Sequence, residues 1–500
     1  MKTQNDRAGQ KPAWGMQQRG IIMRDTISRW MLTACIVALS AGSTNALADA
    51  PDLVSAVQSA LTTNPEINQA VRNREAVDFE RRQAQGLFLP RISVEGSAGI
   101  RRLENDTRRS LNIANDVLYP IEAGVRVQQV LFDGGSRSNE LRRQASRTDG
   151  AAWRVMERSQ FIALQVSRQY LDYLLQQRIV AAAEDNATFH EKLVNDLREG
   201  VRSGSISIAD QQQAEERLRA SRARLTEARQ DMVDTASSFR TLTALEIDQS
   251  AMLPGSLRAK LPPSLNEAID LARSENPRLR EAQADLDAAA SLARKAKAEQ
   301  LPTLSLEGNA RIGEDIDGFR GESNDLNAGV VLRWDLFSGG IQRNKVQEMI
   351  RRESEARFRV EQVQREAEQD MRVAWNALVS QGELVGELDQ QSRVSDDLLA
   401  SYREQFNVGR RSLLDVLDAQ NTRYNVQVRA ETARFGQMFS EYKILAAANQ
   451  LVQALNVEPP AAAKADQRER YKVGPAAPKD PVAVTGRDTE VAMKPEEPIY

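Results

Sequence analysis

After Pro90 the chain alternates. Ile92, Val94, Ala98 and Ile100 fall on one side; Arg91, Ser93, Glu95, Ser97 and Arg101 fall on the other. The pattern returns after Pro302, with Leu304, Leu306, Ala310 and Ile312 set against Thr303, Ser305, Glu307, Asn309 and Arg311. A period of two with one apolar and one polar side predicts a strand with a single greasy face. Partner strands are expected at Ile121, Ala123, Val125 and Val127, and at Leu326, Ala328, Val330, Leu332 and Trp334. From GGSRSNELRR and GGIQRNKVQE onward the period becomes helical, without Pro and with little Gly, until turns at Gly204 and Gly409. Met371, Leu378, Val385 and Leu399 share a heptad position, with Trp375 four residues after Met371, which predicts a coiled-coil seam. A helix over 341–407 would extend roughly 100 Å at about 1.5 Å per residue, far beyond what a globular helix needs.

These stretches are two copies of one plan. NPEINQA at Asn64 and NPRLREA at Asn276 lie 212 residues apart, as do LPRISVEGSAGI at Leu89 and LPTLSLEGNARI at Leu301. LFDGG at Leu131 and LFSGG at Leu336 lie 205 apart, as do Gly204 and Asp210 from Gly409 and Asp415. The seven-residue loss falls between the paired strands, where a loop varies freely. Each copy begins with a short helix (52–63; 264–274) ending at Asn-Pro, where Pro suits the first turn of the next helix.

Composition fits this plan: 41% hydrophobic, 27% charged and only 5% aromatic residues describe long polar-surfaced helices rather than a compact enzyme. Arg24 and Arg29, the run WMLTACIVALSAG and ALA at 46–48 have the layout of a secretory signal peptide, so the mature chain is expected to start at Asp49, with Met1 or Met23 as initiator. Cys35, the sole cysteine, lies within that leader; LTAC resembles a lipoprotein box, but the apolar run follows the cysteine instead of preceding it. Without the six Lys/Arg and two Asp/Glu of residues 1–48, the net charge of −3 becomes about −7, a poor match for nucleic acid. The expected divisions are a signal peptide at 1–48, repeats at 49–262 and 263–458, and a mobile tail at 459–500 that holds seven of the 17 prolines.

Four strands with one lipid-like face fit an outer-membrane barrel, the alternative being a small soluble sheet packed on helices. Four strands cannot close, and open edges are not tolerated in hydrocarbon, so several chains must share one barrel. Two chains give eight strands and a filled interior; three give twelve and leave a lumen. The same symmetry turns four long helical segments per chain into a twelve-helix tube.

Gly204 and Gly409 suit left-handed helix ends, and Ser207 and Ser412 suit caps of the returning helices. A plain helical corner accounts for those residues. It does not account for Asp415 and Asp418, three apart on one helical face: an isolated D-x-x-D reads as solvated surface, but three chains would bring six carboxylates around one axis, a ring that attracts cations. His190, the only histidine, is expected to be an exposed helix residue, and no Ser-His-Asp or histidine metal set has its materials. No Gly-rich Lys loop for phosphate is present, so no catalytic residue, cofactor or metal is assigned.

Over nearly all of residues 51–456 the chain resembles the TolC family of outer-membrane export ducts. The resemblance is carried by the duplicated plan, both LF-x-GG strand exits and above all VGRRSLLDVLDAQ, which is similar to the family's periplasmic-tip motif. DIDGFRGESND before the fourth strand resembles the branch that serves type I secretion. The resemblance implies a mainly α protein with a membrane β-barrel portion: a homotrimeric twelve-stranded β-barrel continued by a twelve-helix α-barrel, in the outer membrane of a Gram-negative bacterium with most of the chain in the periplasm. It implies a passive channel supplied by an inner-membrane ABC exporter or proton-driven pump through a periplasmic adaptor. Asp415 and Asp418 would be the gate carboxylates, and Arg411 and Asp210 members of a latch, although Phe406 stands where the family can have tyrosine and Ala209 lacks a hydroxyl. Small-molecule drug efflux is the alternative function, and a periplasmic coiled-coil scaffold without a pore is the alternative of another class.

Overall fold

A computed structural model describes residues 51–482; the expected leader with Cys35, and residues 483–500 of the expected tail, lie outside the described residues. In chain order the main elements are α1 (Leu53–Thr63), α2 (Pro65–Gly86), β1 (Arg91–Ala98), β2 (Arg101–Arg102), α3 (Asp106–Ser110), β3 (Val117–Leu118), β4 (Ile121–Phe132), α4 (Ser136–Arg202) and α5 (Ile208–Thr243). The second half gives α6 (Leu265–Glu275), α7 (Pro277–Ala298), β5 (Thr303–Glu314), β6 (Glu322–Arg333), α8 (Ile341–Asn407) and α9 (Leu413–Ala447), followed by the short α10 (Leu451–Ala454) and α11 (Gln467–Arg470).

The duplication extends to single hydrogen bonds. Asn64 ends α1 and caps α2 by accepting from the Glu66 amide at 2.9 Å, with Pro65 in the first turn. Asn276 does the same between α6 and α7, accepting from Arg278 at 3.0 Å ahead of Leu279. Their side-chain amides donate to Leu242 O and Ala447 O, themselves equivalent positions near the ends of α5 and α9. Pro has no N–H to orphan at this position, so the Asn-Pro step closes one helix and opens the next.

Four strands form one antiparallel sheet in the order β1-β4-β5-β6. Ile92 faces Val127, and Val125 faces Ala310, so the apolar positions fall together across the ladder. That face is bare: Val94 is 77% exposed and Leu326 84%. The ladder is shorter than expected at two ends. β1 stops at Ala98, after which Gly99 N donates to Pro120 O, and β6 stops at Arg333, with Trp334 Nε1 donating to Gln300 O at 3.1 Å instead of joining the strand. The longer loop of the first copy holds α3 and the β2–β3 hairpin. Buried Arg108 fastens it, donating to Ile113 O, to Asp116 O and to Gly318 O in the loop of the second copy.

Both LF-x-GG exits launch long helices through paired left-handed glycines: Gly134 and Gly135 at φ 64° and 90°, Gly339 and Gly340 at 62° and 82°. A Cβ on Gly134 would come 2.7 Å from Ala298 O, so this turn also needs the space. α4 and α8 are each 67 residues long, roughly 100 Å of helix. Near the sheet, neighbouring helices run α2, α4, α7, α8; toward the far end they run α5, α4, α9, α8. The main core lies where the two arrangements meet, around Tyr170, Phe239, Tyr442 and Leu445.

The expectation of a mobile tail from 459 is corrected for residues 459–482, which form a strap across the upper helices. Asp149 of α4 accepts the backbone N–H groups of Gln467 and Arg468, both at 2.8 Å. Asp287 of α7 accepts from Arg468 Nη1 and Ala476 N. Arg81 of α2 donates to the Tyr471 hydroxyl, and Ser354 of α8 to Asp480. A Pro-rich segment with no core of its own is held by polar anchors on all four helices, which composition does not reveal.

Candidate functional site at the helical tips

The ends of α4 and α8 farthest from the sheet turn through Gly204 (φ 76°) and Gly409 (φ 74°). Ser205 N donates to Gly200 O and Arg410 N to Gln405 O, so the left-handed residue satisfies the last carbonyls of each rising helix. Ser207 then caps α5, accepting from Ala209 N at 3.1 Å, which gives the hydroxyl-free Ala209 a backbone role only. Ser412 caps α9 in a reciprocal box with Asp415: Asp415 N donates to Ser412 Oγ at 3.3 Å, and Ser412 N to Asp415 Oδ2 at 3.4 Å.

That box separates the two expected gate carboxylates. Asp415 is half-buried and committed to its own helix start, with Arg411 Nη1 3.8 Å away. Asp418, one turn on, is exposed and has no side-chain partner among the described residues. Arg411 and Asp210 are not joined within the chain. Arg411 lies over the Tyr402 ring at 4.1 Å and donates to Gln405, while Asp210 sits in the first turn of α5 without a side-chain partner among the described residues. Phe406 is part of an apolar knot joining the two tips, with Ile206, Leu197, Leu218, Leu413 and Leu417.

Each hairpin is stitched by its own ion pairs. In the first, Arg198 meets Glu215 at 2.7 Å, Arg222 meets Glu191 and Arg229 meets Glu184. In the second, Arg423 meets Asp396 at 2.5 Å and Arg434 meets Asp389. Among the described residues one ion pair crosses between the hairpins, Arg423 to Asp185, beside two hydrogen bonds: buried Gln420 donates to buried Asn186 at 2.9 Å, and Arg224 donates to Asn421. Sequence reasoning missed this seam. Its signal was Gln420 standing in the stripe Leu413, Leu417, Gln420, Tyr424, where an amide at a core position demands a buried partner.

Contrary to the expectation of an exposed residue, His190 is buried, at 4% exposure, because α4 is covered here by neighbouring helices; its ring meets Phe189 edge-on at 5.4 Å. Burial, aided by the charges of Arg217 and Arg224, lowers its pKa to about 4, so the ring is neutral in the folded chain near neutral pH. No group of His, Cys, Asp and Glu among the described residues could hold a metal ion. No described helix is long and apolar enough to cross a membrane.

The family model for outer membrane efflux proteins matches residues 56–245 and 268–457, one match per copy of the plan. The chain belongs to the outer membrane efflux protein family. It is 24% identical to the outer membrane efflux protein BepC of Brucella suis over 400 residues, covering 80% of this chain and 85% of that protein. It is 22% identical to the outer membrane protein TolC of Escherichia coli over 430 residues, covering 83% and 86%. In fold it is similar to the Campylobacter jejuni CmeC outer membrane channel, at a TM-score of 0.72 and 16% identity over 85% of this chain and 90% of that one. The protein is therefore an outer-membrane efflux channel component of the TolC family, with a large periplasmic helical portion, and the family is one of transport channels, not enzymes.

Proposed function

We propose that three copies of the chain close one twelve-stranded barrel and one twelve-helix tube, forming a passive duct for cargo delivered by an inner-membrane transporter through a periplasmic adaptor. The observation that carries this reading is the sheet itself: two open edges and an apolar face exposed from β1 to β6 are untenable for a lone chain in lipid. The cargo reading is type I protein secretion, supported by the likeness of DIDGFRGESND, at Asp315–Asp325, to that branch. Proton-driven drug efflux is the second reading, favoured by the name of BepC as an efflux protein. Deleting the gene decides between them: loss of a large secreted polypeptide with unchanged drug sensitivity is expected, and drug hypersensitivity with an unchanged secretome would replace the first reading by the second.

The gate is assigned to the tips. The hairpins hold three and two ion pairs of their own and share one across their seam, which supports opening by movement of α8 and α9 against α4 and α5. Asp418 lines the constriction with no other duty, whereas Asp415 also caps its helix. Arg411 and Asp210, unjoined within one chain, latch neighbouring copies. Single-channel recording tests this: Arg411→Ala and Asp210→Ala should each raise conductance several-fold, and Asp418→Asn should weaken cation preference. Unchanged conductance in both latch variants would remove the latch.

A further inference from the structure

The polar face of the sheet balances most of its charge within one chain. Glu95 is met by Arg126 at 3.1 Å, Glu122 by Arg311 at 3.7 Å and Glu307 by Arg333 at 2.7 Å. Three charged residues at the two open edges are left over. Arg91 is the first residue of β1; Asp325 lies within β6, and Asp335 stands two residues beyond its end. All three are exposed, and none of their side chains has a hydrogen-bond or ion-pair partner among the described residues. One edge thus carries a free cation and the other carries free anions.

We propose that Arg91 of one copy pairs with Asp335 of the next, at the periplasmic foot of the barrel, and that this pair sets the register in which β1 adds to β6. The inference rests on the trimeric reading above. Height selects Asp335 over Asp325. α2 leads into β1 just before Arg91, and β6 leads out toward α8 through Asp335, so both residues mark the helical end of the sheet. Asp325 is ten residues farther along, roughly 33 Å at about 3.3 Å per residue, toward the loop that Arg108 fastens.

A register device is needed at this joint. A one-residue slip would turn the apolar side chains of the added strand into the lumen, and Pro90 offers no N–H to mark where the ladder begins. β1 is also short, eight residues against twelve in β6, so backbone pairing alone permits several offsets. Opposite charges at the two feet favour one offset and penalise those that leave either charge unpaired.

Cysteine pairs test the pairing directly, because a disulfide forms only where Cα atoms come within about 7 Å. In a Cys35→Ser background, oxidation of outer membranes containing Arg91→Cys with Asp335→Cys should give a covalent dimer and trimer ladder, and Arg91→Cys with Asp325→Cys should give none. Arg91→Glu and Asp335→Arg should each lower the temperature at which the trimer dissociates in detergent, and the double variant should recover at least half of that loss. Normal trimers that cross-link at 325 and not at 335, or a double variant no better than the singles, would overturn the pair and leave the trimer standing. A wild-type chain that sediments only as a monomer would remove the trimeric reading itself.

Discussion

α4 and α8 occupy the same place in the two copies and have the same length, yet α4 buries 27 of its 67 residues and α8 only 11. α4 has neighbours on both sides along its whole course, α2 and α7 near the sheet and α5 and α9 below. α8 has α7 and then α9 on one side, and its other side shows Phe358, Val373 and Val394 at 59%, 53% and 65% exposure. Duplication produced two equal helices; position made one an interior stave and the other an edge. An edge that carries large apolar side chains along its length is suited to a neighbouring copy.

Single substitutions on the two helices should therefore fail in different ways. Val166→Asp puts a carboxylate at a fully buried site of α4 and should cost several kcal/mol, seen as loss of helical circular dichroism and of outer-membrane protein. Val394→Asp on α8 should leave the helical spectrum unchanged and reduce the trimer on size-exclusion chromatography. Equal unfolding by both would erase the distinction. At the strap, Asp149→Ala on α4 orphans two backbone N–H groups and should cost about 1–3 kcal/mol in chemical denaturation. Ser354→Ala, the anchor on α8, removes one hydroxyl bond and should cost about 1 kcal/mol or less.

The smallest effect is a pH dependence located on α4. His190 binds its proton more weakly in the folded chain than in the unfolded one, with a pKa of about 4 against 6.5. Its contribution is complete above pH 6.5 and is lost as pH falls toward 4, because the unfolded chain takes up the proton first. Glu140, on the same helix, acts in a lower window. Burial opposes its ionisation, but Arg143 and Lys295 overcome this and hold it at about 2, so its contribution is present above pH 4.5 and fades as pH falls through 2. Thermal unfolding of His190→Gln should fall less than wild type between pH 7 and 5, and Glu140→Gln should follow wild type over that interval.

The sequence reading found what periodicity encodes. Alternation after Pro90 and Pro302 marked the strands, Asn64-Pro65 and Asn276-Pro277 the helix junctions, and the glycine pairs the launch points, because each rests on a local backbone constraint. It could not say which repeat lies inside, since both match the same plan and burial depends on neighbours supplied by distant segments. His190 was misjudged for that reason. The strap was hidden because its anchors, Asp149 and Asp287, lie far along the chain from the residues they hold. At the tips, the turns and caps were legible, but the arrest of Arg411 over Tyr402 and the engagement of Asp415 in its own cap depend on side-chain geometry across a turn.

In the trimeric reading one chain is a third of a closed wall. Electron cryo-microscopy of the purified protein in lipid nanodiscs, viewed down the long axis, tests it by counting: threefold symmetry with twelve helices around an open lumen is expected. A particle containing one chain, with the apolar face of its sheet turned into a soluble core, would overturn that reading.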